Sequence, residues 1–203
     1  MHRSRITLWL FAVLVIMVAP GSAQESTSEQ EMQAMYERAM MLAQPGPEHE
    51  KLARYVGTWN METRYWASPG AEPIVSAGVS ESKMILGGRF LESVWTSGEG
   101  ETAAEGRSIM GFDRRHEEYT VVGFDTWGTY WVSAQGPYDD ETKTITMYGE
   151  DNDPVFKSVQ QYDFRMTEID DDTFTWEVIF YNPEITQGRD EFKMAEILYT
   201  RKK

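Results

Sequence analysis

From Trp59 onward the chain alternates with a period of two. Trp59, Met61, Thr63 and Tyr65 fall on one side, and Asn60, Glu62 and Arg64 on the other, as in a strand with one buried face. The pattern recurs later. Phe174, Trp176, Val178 and Phe180 share a face against Thr175, Glu177 and Tyr181, with Ile179 the exception, and Tyr162, Phe164 and Met166 group against Gln161, Asp163 and Arg165, which are expected to face solvent. Ten such segments are predicted, near 58-66, 73-85, 89-97, 105-113, 118-127, 129-138, 142-149, 156-168, 173-182 and 190-200. Turn-forming stretches separate them, among them Ser68-Pro-Gly70, Gly87-Gly88, Asp139-Asp140, Asp170 to Asp172 and Asn182-Pro183.

The stretch before Trp59 has a different period. Pro47 suits the first turn of a short helix, and Gly57 suits a left-handed residue after its last turn. Further upstream, Ser28 and Glu31 have the spacing of a capping box, and Met32, Met35, Ala39 and Met40 line one side of a helix over 28-43 that Gln44-Pro-Gly-Pro47 ends. No helical period of useful length appears between the strands, so crossover helices and a parallel sheet are not expected. Strands with one apolar face must bury it, and no sequence remains for a covering layer of helices. The expected fold is therefore all-β: a single antiparallel meander β-barrel of about ten strands with an N-terminal helical extension.

Residues 1-23 read as a secretory signal, with a basic start at Arg3 and Arg5, an apolar run from Ile6 to Val18, and small residues from Ala19 to Ala23. The domain expectation is thus 1-23 signal peptide, 24-44 helical extension and linker, and 45-203 barrel. The expected location is exported, either periplasmic or extracellular, with no membrane span after cleavage. Cysteine is absent (Cys 0), which removes disulfides and thiolate chemistry. Loss of Arg3 and Arg5 takes Lys+Arg from 19 to 17 against Asp+Glu 33, so the charge of -14 becomes -16. Such a surface repels phosphate backbones, and nucleic acid is not an expected partner.

Aromatic richness, with Trp 7, Tyr 10 and Phe 9, fits a barrel wide enough to hold a small ligand. The expected partner is a small apolar or amphipathic molecule. Glu92, on the face of Phe90 and Val94, and Asp125, on the face of Tyr119, Val121, Gly123 and Trp127, are the candidate polar contacts. Arg107, beside Ile109 and Gly111, would pair with either, and Trp127 and Trp176 would hold the apolar body of the ligand. Two alternatives stand beside this reading: Glu92 and Asp125 as an acid and base of an enzyme, or as structural hydrogen-bond acceptors that touch no ligand. A third possibility is an assembly module acting through the helix at 28-43 with a filled core. No catalytic residue is assigned, and no metal ligand or cofactor is expected. His2, His49 and His116 all lie off the strand faces, which argues against a haem held by a strand histidine, although a tyrosine ligand stays open.

Gly57-Thr-Trp59 after a short helix resembles the opening of lipocalins and the wider calycin group. That resemblance implies an arginine from the last strand crossing the tryptophan, and Arg201 is placed to do so, closing the barrel with Gly57 and Trp59. A longer resemblance runs from Gln44 over Gln44-Pro-Gly-Pro-Glu-His49, Val56-Gly-Thr-Trp59, Leu86-Gly-Gly-Arg-Phe-Leu-Glu92, Gly111-Phe-Asp113, Lys143-Thr-Ile-Thr146 and Tyr199-Thr-Arg-Lys202. These motifs are similar to those of the bacterial domain of unknown function numbered fifteen seventy-nine. The resemblance implies a calycin-like barrel and no particular reaction.

Overall fold

A computed structural model describes residues 29-154 and 157-203. The expected signal peptide, Ser28 of the expected capping box, and Phe156 at the start of one expected strand lie outside the described residues. The chain divides into two units, residues 1-37 and 38-203. In the first, the described residues belong to the helix α1 (Glu29–Leu42), where Met32, Met35 and Tyr36 are exposed and Gln33 Nε2 donates to Glu37 Oε1 at 2.8 Å.

The second unit is built on the short helix α2 (Pro47–Ala53) and an antiparallel sheet. Its strands are β1 (Gly57–Tyr65), β2 (Ile74–Ile85), β3 (Phe90–Ser97), β4 (Ala104–Asp113), β5 (Glu118–Asp125), β6 (Val132–Gly136), β7 (Tyr138–Asp139), β8 (Thr144–Asp153), β9 (Ser158–Asp170), β10 (Thr173–Phe180) and β11 (Phe192–Arg201). β6 and β7 are two pieces of one wall strand, interrupted at Pro137, which has no N–H to give to a ladder. The wall therefore has ten strands, at the ten places the alternation predicts.

Each strand pairs with its sequence neighbour, and β1 pairs with β11 from Trp59↔Arg201 to Tyr65↔Ala195. The circle closes where β6 meets β8 at Gln135↔Tyr148, helped by Thr146 N donating to Pro137 O at 3.1 Å. Two glycines permit this seam. A Cβ on Gly136 would lie 2.1 Å from Thr146 O, and one on Gly149 would lie 2.2 Å from the Tyr162 ring and 2.6 Å from Ser133 O. Close approach of two backbones selects the residue without a side chain.

One end of the barrel is plugged. Leu52 of α2 is fully buried against Tyr55, Trp59, Leu91, Met110 and Met147, with Phe112, Tyr119 and Phe174 in the same cluster. Trp59, 2 % exposed, donates from Nε1 to Tyr55 O at 2.9 Å and meets the edge of Phe174 at 4.8 Å. The Arg201 guanidinium lies 4.1 Å from the Trp59 ring centre, as the lipocalin resemblance implies. It also donates to Val56 O (2.9 Å), Arg54 O (2.8 Å) and Asp172 Oδ1 (3.0 Å). One side chain thereby ties together the end of α2, the first strand, the β9–β10 turn and the last strand.

Two local expectations are corrected. α2 ends at Ala53, so Gly57 does not cap it; with φ +131 it opens β1 four residues later, because a hydrogen-bonded turn at Arg54 and Tyr55 intervenes. Asn182-Pro183 is not a bare turn: it starts a helix of one turn, α3 (Pro183–Thr186), with proline in the first turn, where no N–H is required.

The Arg201 contacts give a stability prediction. Arg201→Ala removes the cation–π contact and takes a donor from the backbone carbonyls of Arg54, Val56 and Asp171, so unfolding free energy should fall by about 2–4 kcal/mol. Arg201→Lys should recover less than half of that loss, because the ammonium cannot fork across three acceptors. Urea denaturation of the three proteins measures this, and equal midpoints would contradict the clamp.

Candidate functional site

The register from Trp59 determines which side chains enter the barrel. Trp59 opposes Ser80, which opposes Trp95, which opposes Gly106, which opposes Asp125. The neighbouring row runs Ser82, Ser93, Ser108, Gly123. The inward face of β2 to β5 away from the plug is therefore rich in serine and glycine, with Ser82 Oγ and Ser93 Oγ 2.7 Å apart, and Trp95 is its one large group, its ring lying where a Cβ on Gly106 would be 2.4 Å away. Across the barrel, β9 to β11 present large groups. Trp176 lies 5.5 Å from Phe164, and Tyr199 stacks on Phe174 at 4.3 Å with 7° between the planes.

Ser82, Ser93, Ser108, Trp176, Val178 and Ile197 all sit within strands on the inward face, yet each stays partly accessible. The inward face thus carries serine hydroxyls on β2 to β4 and aromatic groups on β9 to β11. Burial pushes the Tyr199 phenol above the ordinary tyrosine value, and it pushes the Tyr119 phenol up as well. The Tyr119 hydroxyl and Gln160 Oε1 are buried without a hydrogen-bond partner in the described structure. Both residues belong to the inward-facing set, Tyr119 within the cluster beneath α2 and Gln160 in β9.

The residues expected to form the site divide. Trp176 faces inward as expected. Asp125 also belongs to the inward set, but it sits at the rim, where Oδ1 accepts from Trp127 N at 2.8 Å and so caps the β5–β6 turn. Trp127 lies beyond the end of β5, 68 % exposed, with its ring 6.4 Å from Trp95. Glu92 and Arg107 are corrections. They alternate with the buried Leu91 and Met110 and lie on the outer wall, where Glu92 pairs with Lys83 Nζ at 3.1 Å and Arg107 Nη1 at 3.2 Å. Glu92 and Asp125 are therefore on opposite sides of the wall, an arrangement that cannot serve one reacting centre. Among the described residues, no group of three or more His, Asp or Glu stands together in a way that could hold a metal ion.

Charged groups on apolar strand faces do not lead to the serines or to Tyr199, which carry no charge. The available signal was Leu91-x-Ser93-x-Trp95 and Gly106-x-Ser108-x-Met110, the other parity of the same two strands.

The profile described as "Protein of unknown function (DUF1579)" matches residues 44–201. The chain belongs to that family. None of the curated proteins matched it. Among solved structures, it is similar to the crystal structure of Rv2717c from M. tuberculosis, with TM-score 0.55 and 13% identity over 79% of this chain and 100% of that one. At that identity the likeness speaks for the barrel fold alone. The DUF1579 match begins at Gln44, so α1 lies outside it.

The position of Glu92 yields a second prediction. Pairs with partners as exposed as Lys83 (69 %) and Arg107 (49 %) contribute little. Glu92→Gln and Arg107→Ala should each change unfolding free energy by less than about 1 kcal/mol and leave the tryptophan emission of the folded state unchanged. A change of several kcal/mol in urea melts would place Glu92 inside after all.

Proposed function

We propose that this DUF1579 protein binds a small, largely apolar or amphipathic molecule in the half of the barrel away from α2. The observation that carries the reading is the row Ser82, Ser93, Ser108, Gly123 facing Phe164, Trp176 and Tyr199. A core selected only for stability would interdigitate large groups from both walls. The aromatic wall supplies apolar contact for the body of a guest, and the serine hydroxyls with Tyr199 supply hydrogen bonds at its polar end.

Filling the space tests the proposal. Ser93→Phe combined with Ser108→Phe should abolish uptake of fatty acids or other apolar molecules from a cell extract, read by native mass spectrometry. The same variant should melt at or above the wild-type temperature, since the added rings enter vacant volume. Two inserted rings in an already filled core would instead cost about 1–3 kcal/mol each, and that result, or a wild-type protein that stays empty in every extract, overturns the reading.

We further propose export, supported by the basic, apolar and small-residue succession over residues 1-23. Amino-terminal sequencing of the protein from its native cell envelope or medium should begin at Gln24. A cytosolic protein that retains the Met1 end would contradict this.

A further inference from the structure

The outer wall carries a feature that interior binding does not use. Where β6 and β8 meet, an open cleft of about 530 Å³ is lined by Glu118, Gln135, Tyr148, Glu150, Gln161 and Asp163, among others, with Tyr181 beside them. No Lys or Arg is among its lining residues. Asp163 was expected to face solvent. It does point away from the barrel interior, but it is only 2 % exposed. Its Oδ2 accepts from the Tyr181 hydroxyl and, at 3.3 Å, from Arg165 Nη2, which also donates to Glu191 Oε2 at 3.0 Å. Asp163 Oδ1 is shielded from solvent and has no hydrogen-bond donor among the described residues.

Buried carboxylate oxygens almost always meet an N–H or O–H, so this one calls for a donor from outside the chain. The rest of the cleft specifies what kind of donor. Glu118 and Glu150 flank it with negative charge, the Tyr148 ring is 59 % exposed beside it, and Gln135 and Gln161 supply amide oxygens. Carboxylates attract a cation, an aromatic face holds it, and carbonyl oxygens accept its remaining protons. Arg165 already neutralises part of the charge on Asp163, and the carboxylates do not gather into a metal-binding group, so the fit is to a monovalent organic cation bearing N–H bonds.

We infer that the cleft over the β6–β8 seam, with the donor-free oxygen of buried Asp163 set among Glu118, Glu150 and Tyr148, binds an alkylammonium group. Two sources share that chemistry, a free diamine and the side chain of an exposed lysine on another molecule. Its position on the outer wall makes the site independent of whether the barrel interior holds a guest.

The test is titration of the full mature chain, followed by ¹H–¹⁵N NMR, with cadaverine in one arm and the blocked tripeptide acetyl-Gly-Lys-Gly-amide in the other. Tetramethylammonium, a cation without N–H, is the control. Shifts should be confined to residues around the cleft and leave the Trp176 indole unmoved. Tetramethylammonium should bind at least about fivefold more weakly, and Asp163→Asn should weaken the amine roughly tenfold, or about 1.4 kcal/mol. Should Asp163→Asn fail to fold, Glu118→Gln with Glu150→Gln, both on the cleft rim, should weaken binding several-fold and reduce its salt dependence. Response to cadaverine only identifies a free amine as the fitting source, and response to the peptide only identifies a lysine side chain. Absence of any shift with either amine, equal binding of tetramethylammonium, unchanged affinity in the variants, or shifts spread over the acidic surface would each overturn the inference.

Discussion

The burial of Trp59 beneath Arg201 is the contact from which the rest of the barrel follows. Trp59 is the first inward residue of the first strand, and Arg201 is its partner in the last strand, so their contact joins the two ends of the sheet. An antiparallel sheet left open would expose two edges and an apolar face. Joining the ends removes the edges on that side and places the tryptophan as a plug, with Leu52 of α2 and Tyr55 of the turn after it in the same cluster and Phe174 against its flank. Arg201 serves this role better than an apolar residue could, because its fork also satisfies the carbonyls of Arg54 and Val56 where the chain leaves α2 without continuing helical hydrogen bonds.

Once Trp59 is inward, pairing carries its orientation from strand to strand, and the interior becomes asymmetric along the axis and around the wall. Near the plug, Leu91, Met110, Ile145, Met147 and Met166 pack as an ordinary core. Away from the plug, serine and glycine on β2 to β5 confront aromatic groups on β9 to β11. The packed half holds the fold together, which is what the proposed interior binding requires of it. Division of labour within one layer of strands is what a barrel with a plugged floor allows and a two-sheet sandwich does not.

The seam between β6 and β8 is the weaker joint. It has a single paired position, Gln135↔Tyr148, and depends on Gly136 and Gly149 to let the backbones approach. The Tyr162 hydroxyl donates across it to Ser133 O at 3.1 Å. Nearby, the segment after β10 lies close to the outside of β9. Asn182 holds it through bonds to Gln161 N and Val159 O, both 2.6 Å, which is how outward-facing Asp163 and Ile179 come to be buried. An outer wall would ordinarily be solvated; here a covered carboxylate adjoins an open acidic cleft.

The sequence by itself determined the number, order and antiparallel sense of the strands and the short helix before Trp59, while the crossing of Trp59 by Arg201 was what the lipocalin resemblance implied. These rest on local chemistry: alternation of period two, turn residues at regular intervals, and a motif whose partners lie at the two ends of the domain. Family membership was legible for the same reason. The parity of β3 and β4 was not. Phe90 and Val94 compete with Leu91 and Trp95, and Ile109 with Met110, so each strand offers two apolar faces and alternation alone cannot rank them. Only the register running from Trp59 through Ser80 to Trp95 and Gly106 decided that Glu92 and Arg107 are outside and the serines inside. The burial of Asp163 was beyond any local pattern, because it depends on where a segment some twenty residues later folds back, and that is a property of the closed tertiary structure.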